Sequence, residues 1–564
     1  MLLAFTLIVG DNAIAQGLGD GVVIVSGTEG NRNIKPSSKL VTEPTLILDT
    51  TKKQLKMNYV FYEYMAPSEF TVDTIKPAKV KIIDPLDRLK RGYLKAGIGM
   101  YLTPLVELHY GSERSRHNNW GINYNHFSSH QAVSKDFGYS GLSQNHADVF
   151  YKHFLDHMSI RGDLYYDRDV NYFYGFNTSD TSIDRDIIKQ RFQTIGAKAK
   201  IASYLQDIPE FNYTGEIGFR NYRDSNRANE NKFNIGGRVQ TIIDEELYGI
   251  DGELLINSYN ATVNTPLIQD STFISTDRRQ TNGVLRLAPH VITNRDRLKA
   301  RVGLDIAIDM GSSTGFHFYP NAEFKYSFHD IFIPYVGVNG NLKQNTFYSL
   351  TQENPFVLSG VNLKNTNTKY NIYGGVRGSI SNKTSFNLSA SKSRVVDMPL
   401  YFSDTTYSIG NRFDVLYDTL DIFNVTGQLS YRVGEKLNVY GKAEYNMYST
   451  VNQAYAWNLS PIEVTLGGIY DLQDKIIVRG DIFFVGNRNA KVLDTTINDV
   501  QKEGSDYFVE LKSFVDFNLG FEYRYTKRFS LFLNFNNIIS QRYRRYYQYP
   551  NQGLNIMGGL TVDF

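Results

Sequence analysis

The chain ends in "LNIMGGLTVDF", residues 554–564. Leu554, Ile556, Gly558, Leu560, Val562 and Phe564 are apolar or small; Asn555, Met557, Gly559, Thr561 and Asp563 alternate with them. A strand points successive side chains to opposite faces, so this segment reads as a strand with one greasy face. Chain ends usually fray. A patterned strand that runs to the last residue and closes on an aromatic implies a pairing partner.

The same alternation recurs upstream. "VDFNLGFEYRYT" sets Val515, Phe517, Leu519, Phe521, Tyr523 and Tyr525 against Asp516, Asn518, Gly520, Glu522 and Arg524. "LNVYGKAEYNMY" sets Leu437, Val439, Ala443, Tyr445 and Met447 against Asn438, Lys442, Glu444 and Asn446. "IVRGDIFF" sets Val478, Ile482 and Phe484 against Arg479 and Asp481, and "KYNIYGGVRGSI" sets Tyr370, Ile372, Val376 and Ile380 against Asn371 and Arg377. The segments run about 10–14 residues, long for soluble strands and suited to tilted membrane strands. About 22 of them follow Gly92.

Their connections alternate in length. The short ones are Asp156-His157, Asp244-Glu245, Asn294-Arg295-Asp296, His329-Asp330, Ser381-Asn382-Lys383, Gly434-Glu435-Lys436, Gln473-Asp474 and Thr526-Lys527-Arg528. Long polar ones are expected at 130–145, 173–189, 260–280, 344–366, 397–421, 488–512 and 538–552; those at 224–230 and 311–314 are shorter. This pattern predicts an all-β fold: a transmembrane antiparallel up-and-down β-barrel of about 22 strands, with short periplasmic turns and long extracellular loops. In hydrocarbon every backbone N–H and C=O needs an internal partner, so the sheet must close. The last strand then pairs with "GYLKAGIGM", Gly92 to Met100.

Composition agrees. Forty Tyr and 35 Phe favour strands. No run reaches the ~18–20 apolar residues of a membrane helix. Sixty basic and 58 acidic residues leave no net basic footprint, so no nucleic-acid partner is expected. The absence of Cys excludes disulfides and thiolate chemistry.

Two residue sets follow from the alternation. Trp120, Tyr124, Tyr445, Phe484, Tyr523 and Tyr525 are candidates for the aromatic girdles at the membrane–water interfaces. Arg377, Lys442, Glu444, Arg479, Asp481, Asp516, Glu522 and Arg524 fall on the inward face, where opposite charges can brace a wet lumen or line a substrate path. The His109, His117, His126, His130, His146, His153 and His157 group spreads over both faces and both ends. It predicts no metal site. No catalytic or cofactor-binding arrangement is recognisable, and an enzyme is not expected.

At the N-terminus, Met1 to Gly10 is apolar and "AIA" (Ala13–Ala15) fits a signal-peptide cleavage site, although no basic residue precedes the apolar run. Residues 1–15 are thus read as a signal peptide, 16–91 as a periplasmic segment, partly extended or disordered, and 92–564 as the barrel.

"FNNIISQRYRRYYQYPNQGLNIMGGLTVDF" (Phe535–Phe564) resembles the end of a TonB-dependent receptor barrel. The matching positions are Asn536, Asn537, Tyr546, Tyr547, Pro550, Gly553, Asn555 and Phe564. The Tyr-rich style and "GYLKAGIGMYLTPLVELHYGSE" are similar to relatives in Bacteroidota. The resemblance implies the bacterial outer membrane and a C-terminal signal, Leu560, Val562 and Phe564, read by the barrel-insertion machinery. It also implies a plug and a TonB box ahead of the barrel; residues 16–91 match neither. A lumen of this width is normally plugged. Inward-folded loops, the N-terminal segment or a partner protein would have to close it. The expected partners are outer-membrane lipids, the insertion machinery, and another outer-membrane or periplasmic protein. Two functions fit: outer-membrane uptake with a partner, or a non-transporting scaffold subunit of an assembly or export complex.

Overall fold

The computed structural model describes residues 90–564, apart from 114, 131–132, 134–135, 178–182, 205–210, 267–272, 312–313, 329–330, 435 and 494–498. The candidate signal peptide, nearly all of segment 16–91 and the His329-Asp330 turn lie outside the described residues.

The wall begins with β1 (Gly92–Gly99), β2 (Thr103–Gly111), β3 (Asn118–Ser129), β4 (Leu142–Phe154), β5 (Met158–Tyr172), β6 (Lys189–Ser203) and β7 (Asn212–Arg223). It continues with β8 (Asn229–Ile243), β9 (Glu246–Pro266), β10 (Phe273–Arg295), β11 (Leu298–Met310), β12 (Thr314–Tyr326) and β13 (Ile333–Lys343). After the helix α1 (Phe347–Glu353) come β14 (Thr366–Ser381), β15 (Thr384–Asp404), β16 (Arg412–Val433), β17 (Leu437–Thr450), β18 (Ile462–Leu472) and β19 (Ile476–Val485). The short strands β20 (Arg488–Val492), β21 (Gln501–Glu503) and β22 (Asp506–Leu511) form an external excursion. The wall resumes with β23 (Phe514–Arg524) and β24 (Phe529–Asn536), and after the small hairpin β25 (Arg544–Tyr546) and β26 (Tyr549–Pro550) ends with β27 (Asn555–Asp563).

Twenty-two strands close one antiparallel barrel. The expected closure is present: β27 pairs with β1 from Tyr93↔Asp563 to Gly99↔Met557. Backbone bonds carry the seam to its last residue, with Gly92 N–H donating to Phe564 O at 2.8 Å and Phe564 N–H to Gly92 O at 2.9 Å. The connections sort as expected. Asp244-Glu245 and Gln473-Asp474 have positive φ at both residues, the backbone of two-residue type I′ hairpins.

Two expected loops prove to be largely strand. The 260–280 connection is the top of the β9–β10 hairpin, paired up to Phe273↔Pro266. The 397–421 connection is mostly β15 and β16, paired up to Asp404↔Arg412. Above the membrane a strand needs no lipid-facing side, so the greasy alternation that marks strands lower down is lost while the ladder continues.

The outward face is apolar. Ile98, Leu164, Ile195, Phe219, Val302, Phe324, Ile372, Leu388, Met447 and Leu466 are all exposed on it. The largest buried cluster lies instead among the extracellular loops and strand tops.

Candidate functional site: a capped mouth over a charged lumen

Residues 344–365 leave β13, cross the barrel mouth and return to β14. An asparagine clasp fixes the two ends of this cap. Asn282 on β10 donates to Asn365 Oδ1 at 2.6 Å and to Asn345 O at 3.3 Å. Asn345 donates to Lys364 O at 2.8 Å and to Thr366 Oγ1 at 2.7 Å. Asn365 donates to Asp309 Oδ1 at 2.8 Å, and Gln344 to Asn282 O at 2.9 Å. Buried amides need such partners, so the clasp is closed against water.

The cap then forms α1. Thr346 and Ser349 make a reciprocal capping box at its N-terminus. Glu230 of β8, fully buried, accepts the backbone N–H of Phe347 at 2.5 Å and of Tyr348 at 3.4 Å. The free N–H groups of a helix start favour an anion. Arg220 sits 3.8 Å from the same carboxylate and lies over the Tyr348 ring at 3.7 Å.

Apolar side chains fill the rest. Phe347 packs against Phe192, Tyr222 and Tyr259, from β6, β7 and β9. On the far side Phe356 stacks on Tyr549, with ring centroids 3.7 Å apart, and meets Tyr174 edge-on. Phe356 and Phe413 exchange backbone contact: Phe413 N–H donates to Phe356 O at 3.0 Å and Leu358 N–H to Phe413 O at 2.8 Å. Hydroxyls pin the cap's backbone and side chains all round: Tyr546 donates to Glu353 O at 2.8 Å, Tyr401 to Leu350 O at 3.3 Å, and Tyr222 pairs with Thr351 at 2.7 Å. Gly360 N–H donates to Tyr259 Oη at 2.7 Å, and Gln280 donates to Val361 O at 3.0 Å. Of the three expected ways to close the lumen, inward-folded loops are present.

Phe347, Leu350, Phe356, Val357 and Val361 are 0–1% exposed. At about 1.5–3 kcal/mol each, their burial contributes roughly 10 kcal/mol, set against the entropy lost in ordering the segment.

Two cap carboxyls are unusual. Burial pushes Asp224 up from the ordinary carboxylate range, opposed by bonds from Ser359, Ala228, Gln190 and Asn226. Burial also pushes Glu353 up, opposed by Lys343, Tyr401 and Arg545. Both favour the uncharged form while the cap is closed.

Below the cap lie the residues singled out from the sequence. Lys442 and Glu444 pair at 2.8 Å. Arg479 pairs with Glu522 at 2.9 Å, and Arg524 lies 3.7 Å from Asp471 and 3.8 Å from Glu522. Asp481 accepts from Tyr440 at 3.0 Å and Asp516 from Tyr543 at 2.9 Å. Arg377 makes no ion pair among the described residues. These charges form separate braces along the wall rather than one constellation. Trp120, Tyr124, Tyr445, Tyr523 and Tyr525 are exposed, and Phe484 half-exposed, on the outer face. Phe564 stacks on Tyr110, which meets Trp120 edge-on, so the last residue sits in a group of three rings at the short-turn end. The histidines bond to polar neighbours, among them Asn123 for His109, Asn145 for His126 and Asn118 for His153, and His126 and His130 share Ser128.

Sequence pattern does not single out the cap anchors. Glu230, Phe347, Phe356 and Tyr549 come from loops and strand tops without periodic pattern. The legible hint was "NTFYSLTQENP": Thr and Ser three apart, then Asn-Pro, are helix start and stop signals.

No protein-family model matches the chain, and no curated protein matches it in sequence. Solved structures do match in fold. The closed form of the ferric-catecholate import receptor Fiu from K12 E. coli is 10% identical at a TM-score of 0.62, over 84% of this chain and 82% of that one. The FrpB iron transporter from Neisseria meningitidis, in its F5-1 variant and apoprotein form, is 10% identical at 0.64, over 85% and 82%. The copper transporter OprC is 11% identical at 0.61, over 85% and 80%. The fold is that of TonB-dependent receptor barrels.

Proposed function

We propose that this chain is an outer-membrane uptake barrel whose mouth is shut by the 344–365 cap and opened through a ligand or partner. The supporting observation is the cap itself: an apolar, ring-anchored closure over a lumen lined with charge braces. Import receptors and transporters sharing the fold support the uptake class. Residues 16–91 carry no plug-like pattern, and on this reading the cap does the plug's sealing work. TonB coupling, a Bacteroidota source and insertion through Leu560, Val562 and Phe564 belong to the same proposal.

The depth of the apolar cap favours a second reading, a permanently closed scaffold subunit, because five fully buried apolar side chains have to leave their seats before it opens. Planar-bilayer recording separates the two. An uptake barrel is silent when intact and conducts once the cap is loosened by Phe347→Ala, and cells carrying that variant take up large solutes. A barrel that stays silent after cap loosening, and whose loss leaves solute uptake unchanged, is the scaffold.

A further inference from the structure

One wall seam is incomplete. In the others the backbone ladder follows both strands to within a residue or two of where one ends; β11–β12, for example, runs from Leu298↔Tyr326 to Met310↔Thr314. Between β12 and β13 it comprises only Ala322↔Val338, Glu323↔Gly337, Phe324↔Val336 and Lys325↔Tyr335. Above this, Thr314–Asn321 has β11 on one side and no backbone partner on the other among the described residues. The upper part of β13 still pairs with β14, through Asn341↔Thr368 to Lys343↔Thr366.

The cap causes the parting. Leu342 is buried with Leu255, Val284, Ala307 and Tyr319, the inward residues of β9 to β12. Gln344 continues inward to Asn282. The strand bends at a register shift between Asn339 and Asn341. At Gly340 a Cβ would come within 2.6 Å of the Tyr319 ring and 2.7 Å of Thr368 O, so only glycine lets β13 slip behind β12. On the lumen side Asn367 ties β14 to β12 by accepting from Tyr319 Oη at 2.9 Å and meeting His317 at 3.2 Å. These side chains do not satisfy the β12 backbone edge.

That edge lies in the half of the wall away from the short turns. Phe316 and Phe318 flank it on the lipid face, 68% and 63% exposed. Pro320, which lacks an N–H, sits on it, as suits an edge strand. Open backbone groups facing hydrocarbon cost several kcal/mol each. Acyl chains offer neither donor nor acceptor. A second copy turned about the membrane normal would bring its own β12 up parallel, the weaker pairing. A strand of a different outer-membrane protein, running antiparallel, would satisfy the edge by the stronger pairing.

We propose that the open edge Thr314–Asn321 is a lateral docking site that takes an extended amphipathic strand of a partner outer-membrane protein by β-augmentation. The proposal rests on the barrel being embedded in a membrane and working with a partner, as argued above.

The test places a photo-crosslinking residue at Phe316 or Phe318 in native membranes, with Val302 on β11, also outward and 53% exposed, as control. Adducts with one polypeptide are expected at 316 and 318, about tenfold above the Val302 level. Mapped by mass spectrometry, the partner positions should lie two residues apart on one segment, in the order reversed relative to β12. Phe318→Lys, which puts a charge on the edge, should cut the adduct from position 316 about tenfold while the barrel remains folded and heat-modifiable. Adducts with lipid alone, with residues 1–89 of this chain, or at unordered partner positions overturn the proposal. Failure of the membrane reading would look different: the chain would leave the membrane fraction altogether.

Discussion

Glu230 and Phe347 are 117 positions apart in the chain, and the carboxylate of one holds the backbone N–H of the other at 2.5 Å. That bond ties the first turn of α1 to the wall, and the cap's aromatic core assembles around it.

Glu230→Ala should therefore loosen the cap without breaking the barrel. It leaves the α1 N–H groups and Arg220 without their carboxylate in a buried setting, at a cost of about 3 kcal/mol. Limited proteolysis should cut within 344–365 faster than in the parent chain, while heat-modifiable migration of the barrel stays unchanged. Unaltered protection of 344–365 would remove Glu230 from the anchoring role.

Phe347→Ala removes the ring shared by Phe192, Tyr222 and Tyr259, and should cost the cap about 3–5 kcal/mol. Brief channel openings in a planar bilayer are the expected result. Tyr549→Ala on the opposite side, which unstacks Phe356, should act in the same direction.

The cap should be tightest in acid. Asp224 and Glu353 have carboxyl groups raised by burial, so their contribution is complete below the ordinary carboxylate range and lost as pH rises through the raised values. Proteolysis of 344–365, measured with an acid-tolerant and a neutral protease over an overlapping pH range, should accelerate from about pH 4 towards neutrality. Asp224→Asn combined with Glu353→Gln should weaken that dependence, the remainder coming from Glu230, whose carboxyl burial also raises; the same slope in the double variant would place its origin elsewhere.

Closure should depend on Phe564 and the space kept for it. Its ring lies where a Gly92 Cβ would fall, and its backbone exchanges two bonds with Gly92. Phe564→Ala should lower the amount of barrel in the outer membrane several-fold, read by fractionation and immunoblot. Gly92→Val should do the same by displacing the ring. Normal levels of both variants would show that neither the ring nor its seat matters for insertion.

The barrel was legible because its signal is local. A side chain that faces lipid must be apolar and its neighbour, facing a wet lumen, need not be, so alternation is written into every wall strand from Gly92 to Phe564. Turn length adds direction, and the closing of a sheet in hydrocarbon requires β27 to meet β1. The extension of β9–β10 and β15–β16 was missed where the strands rise beyond the lipid and the alternation ceases to be required. The inward face was legible as a set of charges, but which charge meets which, Arg479 with Glu522 or Asp481 with Tyr440, depends on strand stagger.

The sequence by itself determined a closed, two-faced cylinder, because period and turn length are properties of neighbouring residues. Only the tertiary structure decided that Phe347, Phe356, Tyr546 and Tyr549 meet over the mouth, and that β13 parts from β12 to let them. The bond from Tyr546 to Glu353, for one, joins residues 193 positions apart, and burial between such distant points leaves no period in the chain.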